Sequence, residues 1–309
     1  MGENVSKHTY KKGYLKVTDG HKLYYELFGN PKGSKVIFLH GGPGSNFKES
    51  HLKMFNPKKH HVVFFDQRGA GRSKPHCSTK QNTTWKLIED INAFYDFMNW
   101  DKAALVGGSW GTTLGLAYAI NHPEKVTGMV LSSSWLGDHQ DIKHYVGGGV
   151  QIYYPEAWER FISIVPKQHH KNPMSYYARK FKSKSKKERE KYLFEWAWYE
   201  LSMVSLDPSE KQIKNRITEL SFKSLATLEA HYLMKNCFLP RGYILKNANK
   251  LKNIPITFLQ GRYDSVCQLQ PIYKLHKKLP ISKMYISNSA HAGDDPVFKK
   301  RRKKALNNL

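Results

Sequence analysis

The feature that most constrains this chain is a rhythm of short, nearly continuous apolar runs alternating with longer amphipathic segments. The runs "KVIFLH" (35–40), "HVVFFD" (61–66), "AALVGG" (103–108) and "KVTGMVLSSS" (125–134) are too short for core helices and rich in β-branched and aromatic residues. They are apolar at consecutive positions, the mark of strands buried on both faces. Between them, "TTWKLIEDINAFYDFMNW" carries Ile88, Ile91, Phe94, Tyr95 and Met98 at helical spacing, and "WGTTLGLAYAINH" reads as a second helix. Such alternation predicts an α/β fold: a mostly parallel central sheet with helices on both faces. Upstream, "YLKVT" and "KLYYELF" flank Asp19-Gly20, a hairpin signal.

From about Trp135 the rhythm stops. Strand-like runs vanish and aromatics dominate, as in "QIYYPEAWERFISIV" and "YLFEWAWYELSMVSL". It resumes with "IPITFLQGRYD", the helix "QPIYKLHKKL" and "SKMYIS". The expectation is one core domain, 1–134 and 246–309, interrupted by a helical cap over 135–245.

Composition narrows the setting. No run of about 18 apolar residues suggests a membrane span, and the N-terminus lacks the apolar segment of a secretory signal. The three cysteines, Cys77, Cys237 and Cys267, have neither paired spacing nor metal-ligand spacing. A reducing, cytoplasmic location is expected. The first six residues formally fit an acylation pattern on Gly2, which the charge on Glu3 disfavours. The net charge of +25 permits contact with nucleic acid or anionic membranes. The lysines are scattered, however, with runs only at "KSKSKKEREK" and "KKRRKK" and no interleaved stacking aromatics. A solvated basic surface is the simpler reading, with a nuclear-import signal as the alternative for the terminal run.

The chemistry concentrates at "VGGSWGTT" (106–113). Gly-x-Ser109-x-Gly after an apolar run fits a strand-to-helix turn that exposes a serine nucleophile at the N-terminus of the next helix. In such a layout the acid and the histidine follow at the ends of later strands. Asp264 follows "ITFLQ" and His291 follows "MYIS", so Ser109, Asp264 and His291 form the expected triad. "HGGPG" (40–44) directly follows a strand. Its glycines allow a backbone N–H to face an oxyanion, partnered by the N–H of Trp110. "DQRGAGRS" (66–73) matches neither a phosphate loop nor a dinucleotide fingerprint. It reads as a turn bordering the site, with Asp66 held by local backbone groups.

Taken together, "HGGPG", "DQRGAGRS", "NTTW", "GGSWGTTLGLAYAINHPEKV", "PEAWE", "LEAHY" and "GRYDSVC" resemble the proline iminopeptidases (prolyl aminopeptidases), serine peptidases of α/β-hydrolase fold. The resemblance runs from about Tyr14 to Pro296. It implies release of N-terminal proline from small peptides through a prolyl acyl-enzyme, without cofactor or metal. It also implies the Gly42 and Trp110 N–H groups as the oxyanion hole, and cap glutamates that read the free imino terminus. The matching positions are Glu229, in "LEAHY", and Glu200, in "WAWYE", with Glu195 as the alternative to Glu200. Cys267, close in sequence to Asp264, is expected near the site.

The chain departs from the family pattern in having Ala290 before the histidine and Gln268 after "VC". Its tail, "VFKKRRKKALNNL", has few apolar positions with which to cover a sheet face. Two other functions stay open at this level: an esterase, amidase or broader aminopeptidase on the same fold, and a noncatalytic polyanion-binding protein.

Overall fold

The computed structural model describes residues 5–219 and 221–309; Gly2 lies outside the described residues. Among the described residues eight strands form one sheet: β1 (Thr9–Lys16), β2 (Lys22–Gly29), β3 (Ser34–Leu39), β4 (His60–Phe65), β5 (Ala103–Ser109), β6 (Val126–Ser134), β7 (Ile256–Gly261) and β8 (Lys283–Ser287). Their order is β1-β2-β4-β3-β5-β6-β7-β8. The hairpin β1–β2 and the β2–β4 pair are antiparallel, and every pair from β4 to β8 is parallel.

Period-two geometry explains why the central runs are apolar throughout. Ile37, Leu39, Val63, Phe65 and Leu105 point into one core cluster, while Val36, Phe38, Val62, Phe64, Ala104 and Val106 point into another on the opposite face. Helices cover both clusters. The helix Thr84–Met98 begins where the Thr83 hydroxyl accepts the Lys86 N–H at 3.2 Å and ends at Asn99, in the left-handed conformation at φ 50°. It buries Ile88, Ile91, Phe94 and Tyr95.

The loop after β4 is anchored by charge. Arg68, fully buried, is bidentate to Asp90 (Nε–Oδ2 2.6 Å, Nη2–Oδ1 2.8 Å) and also reaches Asp19. Asp66 accepts the Phe47 N–H at 3.1 Å and the Arg72 N–H at 2.9 Å, and the Arg72 side chain as well.

Between β6 and β7 the described chain holds helices and no strand. Stacked aromatics bind this segment together: Phe161 lies 4.4 Å from Tyr177 and 4.3 Å from Tyr199, centroid to centroid. It meets the rest of the molecule above the C-terminal strand ends. There Ser224 Oγ donates to the Gly44 carbonyl at 2.8 Å, and the Ala292 N–H donates to the Val204 carbonyl at 2.7 Å.

The apolar-poor tail packs against the sheet edge. It forms a helix, Pro296–Leu306, capped by Asp295, whose Oδ1 accepts the Val297 and Phe298 N–H groups. Three buried residues, Phe298, Ala305 and Leu306, suffice to seat it, because His60 also bonds the Leu306 carbonyl and Arg301 the Ile286 carbonyl. The cover is nevertheless incomplete. A cavity of about 410 Å³ remains between this helix and the edge formed by β6, β7 and β8.

Candidate active site

The neighbours of β3 are β4 and β5, so successive chain segments run away from β3 in opposite directions. Open α/β sheets form a crevice at such a point, beyond the C-terminal strand ends. Ser109 ends β5 there, and the Gly41–Gly44 loop follows β3.

Ser109 adopts φ 54°, ψ −127°, a strained conformation for a residue with a side chain, and the helix Trp110–Asn121 begins immediately after it. The turn closes only because position 111 has no side chain: a Cβ there would lie 2.1 Å from the Leu39 carbonyl oxygen. Gly42 is also obligatory, at φ 113° and with Gly44 N only 2.5 Å from where a Cβ would be. The Trp110 N–H belongs to the first helical residue, outside the helix's own ladder. Among the described residues neither it nor the Gly42 N–H donates to a protein acceptor. Both amides are therefore free to receive an anionic oxygen. The Trp110 ring is fixed by its Nε1–H bond to Gln67 at 2.9 Å.

Asp264 and His291, 27 positions apart, meet at the ends of β7 and β8, with His291 Nδ1 3.0 Å from Asp264 Oδ2. Asp264 is held in turn by the Val266 N–H (3.1 Å) and the Cys267 N–H (2.7 Å) on Oδ1. Burial alone would lower the His291 pKa, but the Asp264 carboxylate outweighs it and holds the imidazole well above its ordinary value. Ser109, His291 and Glu200 line one cavity of about 400 Å³. Ser109 and His291 are not hydrogen-bonded; the Ser109 hydroxyl instead faces Cys267 Sγ at 4.0 Å. A turn about the serine Cα–Cβ bond is what would redirect it, and such bonds commonly tighten only when substrate is present.

Asp264, Cys267 and His291 bring a carboxylate, a thiol and an imidazole within 4.8 Å of one another. A coordinating sulfur would have to be a thiolate, whereas burial pushes the Cys267 thiol up to about 11. The Asp264 oxygens are already occupied by amides and imidazole, so the trio fits a hydrogen-bonded acid–imidazole pair better than a metal centre.

Above this edge two carboxyls face each other. Glu229, 3% exposed, accepts the Trp196 Nε1–H at 2.6 Å. Its pKa is driven well up by burial and by the neighbouring Glu200 charge. Burial likewise raises Glu200 to about 7, against the opposing pull of His291. Glu200 Oε2 and the Tyr145 hydroxyl are both buried without a partner. Burial and the charges of Glu229 and Glu200 keep that phenol protonated. Sequence reasoning did not single out Tyr145, which lies beside this carboxyl pair; one tyrosine among 18 carries no distinguishing pattern. Glu195, the alternative to Glu200, points elsewhere and pairs with Arg160 at 2.7 Å.

A family model described as alpha/beta hydrolase fold matches residues 35–293. The chain is 35% identical over 290 residues to a proline iminopeptidase of Arabidopsis thaliana, covering 93% of this chain and 76% of that protein. It is also 35% identical over 289 residues to a proline iminopeptidase of Xylella fastidiosa (strain 9a5c), covering 93% and 92%. Among solved structures, a proline iminopeptidase-related protein of Thermus thermophilus superposes with a TM-score of 0.63 at 19% identity, over 97% of this chain and 98% of that one. A Rhodococcus esterase does so with a TM-score of 0.65 at 17% identity, over 96% and 99%. These two likenesses speak to the fold alone. The sequence relatives go further: the chain belongs to the proline iminopeptidase family of α/β-hydrolase enzymes.

Proposed function

We propose that the protein is a serine exopeptidase that releases proline from the N-terminus of small peptides, with residues 135–245 acting as a cap over the site. The observation that carries this reading is the pair of unpartnered buried polar atoms, Glu200 Oε2 and the Tyr145 hydroxyl, beside the Glu229 carboxyl. A buried acceptor without a donor is costly, and two facing carboxyls are costlier still. A cation supplied by the substrate relieves both penalties. The secondary ammonium of an N-terminal proline is such a cation, and the surrounding aromatic rings suit its pyrrolidine.

With the ammonium held there, the prolyl carbonyl lies toward Ser109. The Ser109 oxygen attacks the carbonyl carbon while His291 Nε2 takes the hydroxyl proton. Asp264 keeps Nδ1 protonated and stabilises the imidazolium. The oxyanion is received by the Gly42 and Trp110 N–H groups; one such donor is worth about 3 kcal/mol in barrier. His291 then returns the proton to the leaving amine, and water hydrolyses the prolyl ester by the same steps. A panel of prolyl, alanyl and N-acetylprolyl arylamides plus a simple ester tests the reading. Fast cleavage of the free prolyl arylamide alone supports it. Equal cleavage of blocked and free substrates contradicts it and favours an esterase or amidase.

A further inference from the structure

The cavity in front of Ser109 is charged at more than one place. Beyond Glu200 it is lined by Lys48, Arg216 and Arg302, and Glu200 is the one carboxylate among its described lining residues. Arg302 stands out. It lies on the inward side of the tail helix, half-buried, with its guanidinium 5.7 Å from the Phe298 ring. Among the described residues it has neither a hydrogen-bond acceptor nor an ion-pair partner. Arg216, by contrast, donates to Ser205 Oγ at 2.9 Å and pairs at 3.7 Å with Asp294, itself largely exposed.

A guanidinium partly removed from water without a carboxylate is a costly arrangement. Burial accordingly lowers the Arg302 pKa, opposed only by the charge of Asp294. His51, which lines the same cavity, is pushed down to about 3 by burial and then by the charges of His40, Lys48 and Arg302. It stays neutral and adds no competing charge. The influences on Glu200 are burial first, then His291 and Glu229. Glu200 and the three cations line one cavity together with Ser109.

We infer that Arg302, assisted by Arg216 and Lys48, recognises a carboxylate on the leaving-group side of the scissile bond, so that the preferred substrates are short prolyl peptides anionic just after the proline. This inference rests on the peptidase reading above and adds its substrate class. A cation-reading pocket at one end and an anion-reading end at the other match a zwitterionic dipeptide. The carboxylate has two sources, a free C-terminus one residue after proline or an acidic side chain at that residue. Arginine suits either, because its planar fork can bind both carboxylate oxygens. The inference also gives the terminal basic run a role: its helix is seated by Phe298, Ala305 and Leu306, and that seating brings Arg302 to the cavity.

The test measures kcat/KM for proline release from four substrates: Pro-Gly, prolylglycinamide, prolylglutamic acid α-amide and prolylglutamine α-amide. Prolyl arylamide is run alongside. The wild-type protein is expected to prefer Pro-Gly over prolylglycinamide by about tenfold, the size of one charge-assisted hydrogen bond. The two glutamyl-type substrates report whether a side-chain carboxylate is also read. In Arg302→Gln the preference falls toward one, and in Arg302→Lys part of it returns. Because the preference is a ratio within each protein, partial loss of folded enzyme cancels. Added salt lowers the wild-type ratio. Wild-type ratios near one for both substrate pairs with active turnover of prolyl arylamide, or ratios unchanged in Arg302→Gln, overturn the inference and leave the peptidase reading standing. Failure to release proline from any substrate, prolyl arylamide included, overturns both.

Discussion

Replacing Glu229 by glutamine separates binding from folding, because the two respond with opposite sign. The substitution preserves shape, and the amide oxygen still accepts the Trp196 Nε1–H now bonded at 2.6 Å. What disappears is the ability of this carboxyl, protonated in the empty site, to ionise against the bound substrate ammonium. A hydrogen bond to a charged group contributes roughly 1.5–3 kcal/mol, so kcat/KM for prolyl arylamide falls about 10- to 150-fold at 1.36 kcal/mol per factor of ten. The loss appears mainly in KM, since the ammonium is bound alike in ground and transition states. Stability moves the other way. The Glu229 pKa is raised in the folded protein by burial and by Glu200. Between the ordinary carboxyl range and that raised value the folded state keeps a proton the unfolded chain has lost, so the wild-type protein loses stability as pH climbs through this window. The variant lacks that group, and its Tm relative to wild type grows from about pH 5 upward. Steady-state kinetics with prolyl arylamide and p-nitrophenyl acetate, together with thermal melts at several pH values, measure both effects. If turnover of ester and arylamide fell equally and Tm dropped, Glu229 would be a structural residue and the amine-reading role would be wrong.

Further expectations concern the other groups. Ser109→Ala removes detectable cleavage of prolyl arylamide while the melting curve stays close to wild type; Asp264→Asn lowers kcat by about 10⁴-fold through the wrong His291 tautomer, both read by kcat in purified protein. The kcat/KM profile rises with pH through about 7, where Glu200 loses its proton and can hold a cation. His291, held above its ordinary value by Asp264, moves that limb further to the alkaline side. A profile falling from pH 6 to 8 would refute this assignment. Asp90→Asn takes the bidentate carboxylate from buried Arg68, leaving only the partly exposed Asp19, and costs about 3 kcal/mol in denaturant unfolding. A bulky maleimide reacts slowly with Cys267, whose buried thiol is pushed up to about 11, but once attached it blocks turnover, because the sulfur lies 4.0 Å from the Ser109 oxygen; mass spectrometry paired with activity measures it.

The sheet was legible because buried strands write consecutive apolar residues, and the two faces of β3, β4 and β5 account for each of them. The meeting of Asp264 with His291 was legible for a related reason: both follow a strand, and parallel strands deliver their ends to one edge. Glu200 was harder. The helix Lys186–Met203 is buried around much of its circumference, with Tyr192, Trp196, Ala197, Trp198, Tyr199 and Leu201 all inside. Periodicity therefore could not say whether Glu195 or Glu200 turns inward; the Arg160 partner of Glu195 and the place of Glu200 in the Ser109 cavity separate them. The register of the tail was hard to read for the opposite reason, since a run of like charges hides which residue sits on the packed side. Arg302 differs from its neighbours only by its register relative to Phe298, Ala305 and Leu306. The Ser109 hydroxyl direction is a rotamer choice with no sequence signature.

The most direct measurement compares labelling by two diphenyl phosphonates, one with a free prolyl terminus and one N-acetylated, followed by peptide mapping. Modification of Ser109 with the free prolyl reagent reacting far faster is the predicted result. Equal rates, or an adduct on any other residue, would contradict a serine nucleophile beneath a carboxyl pair that reads the charged terminus.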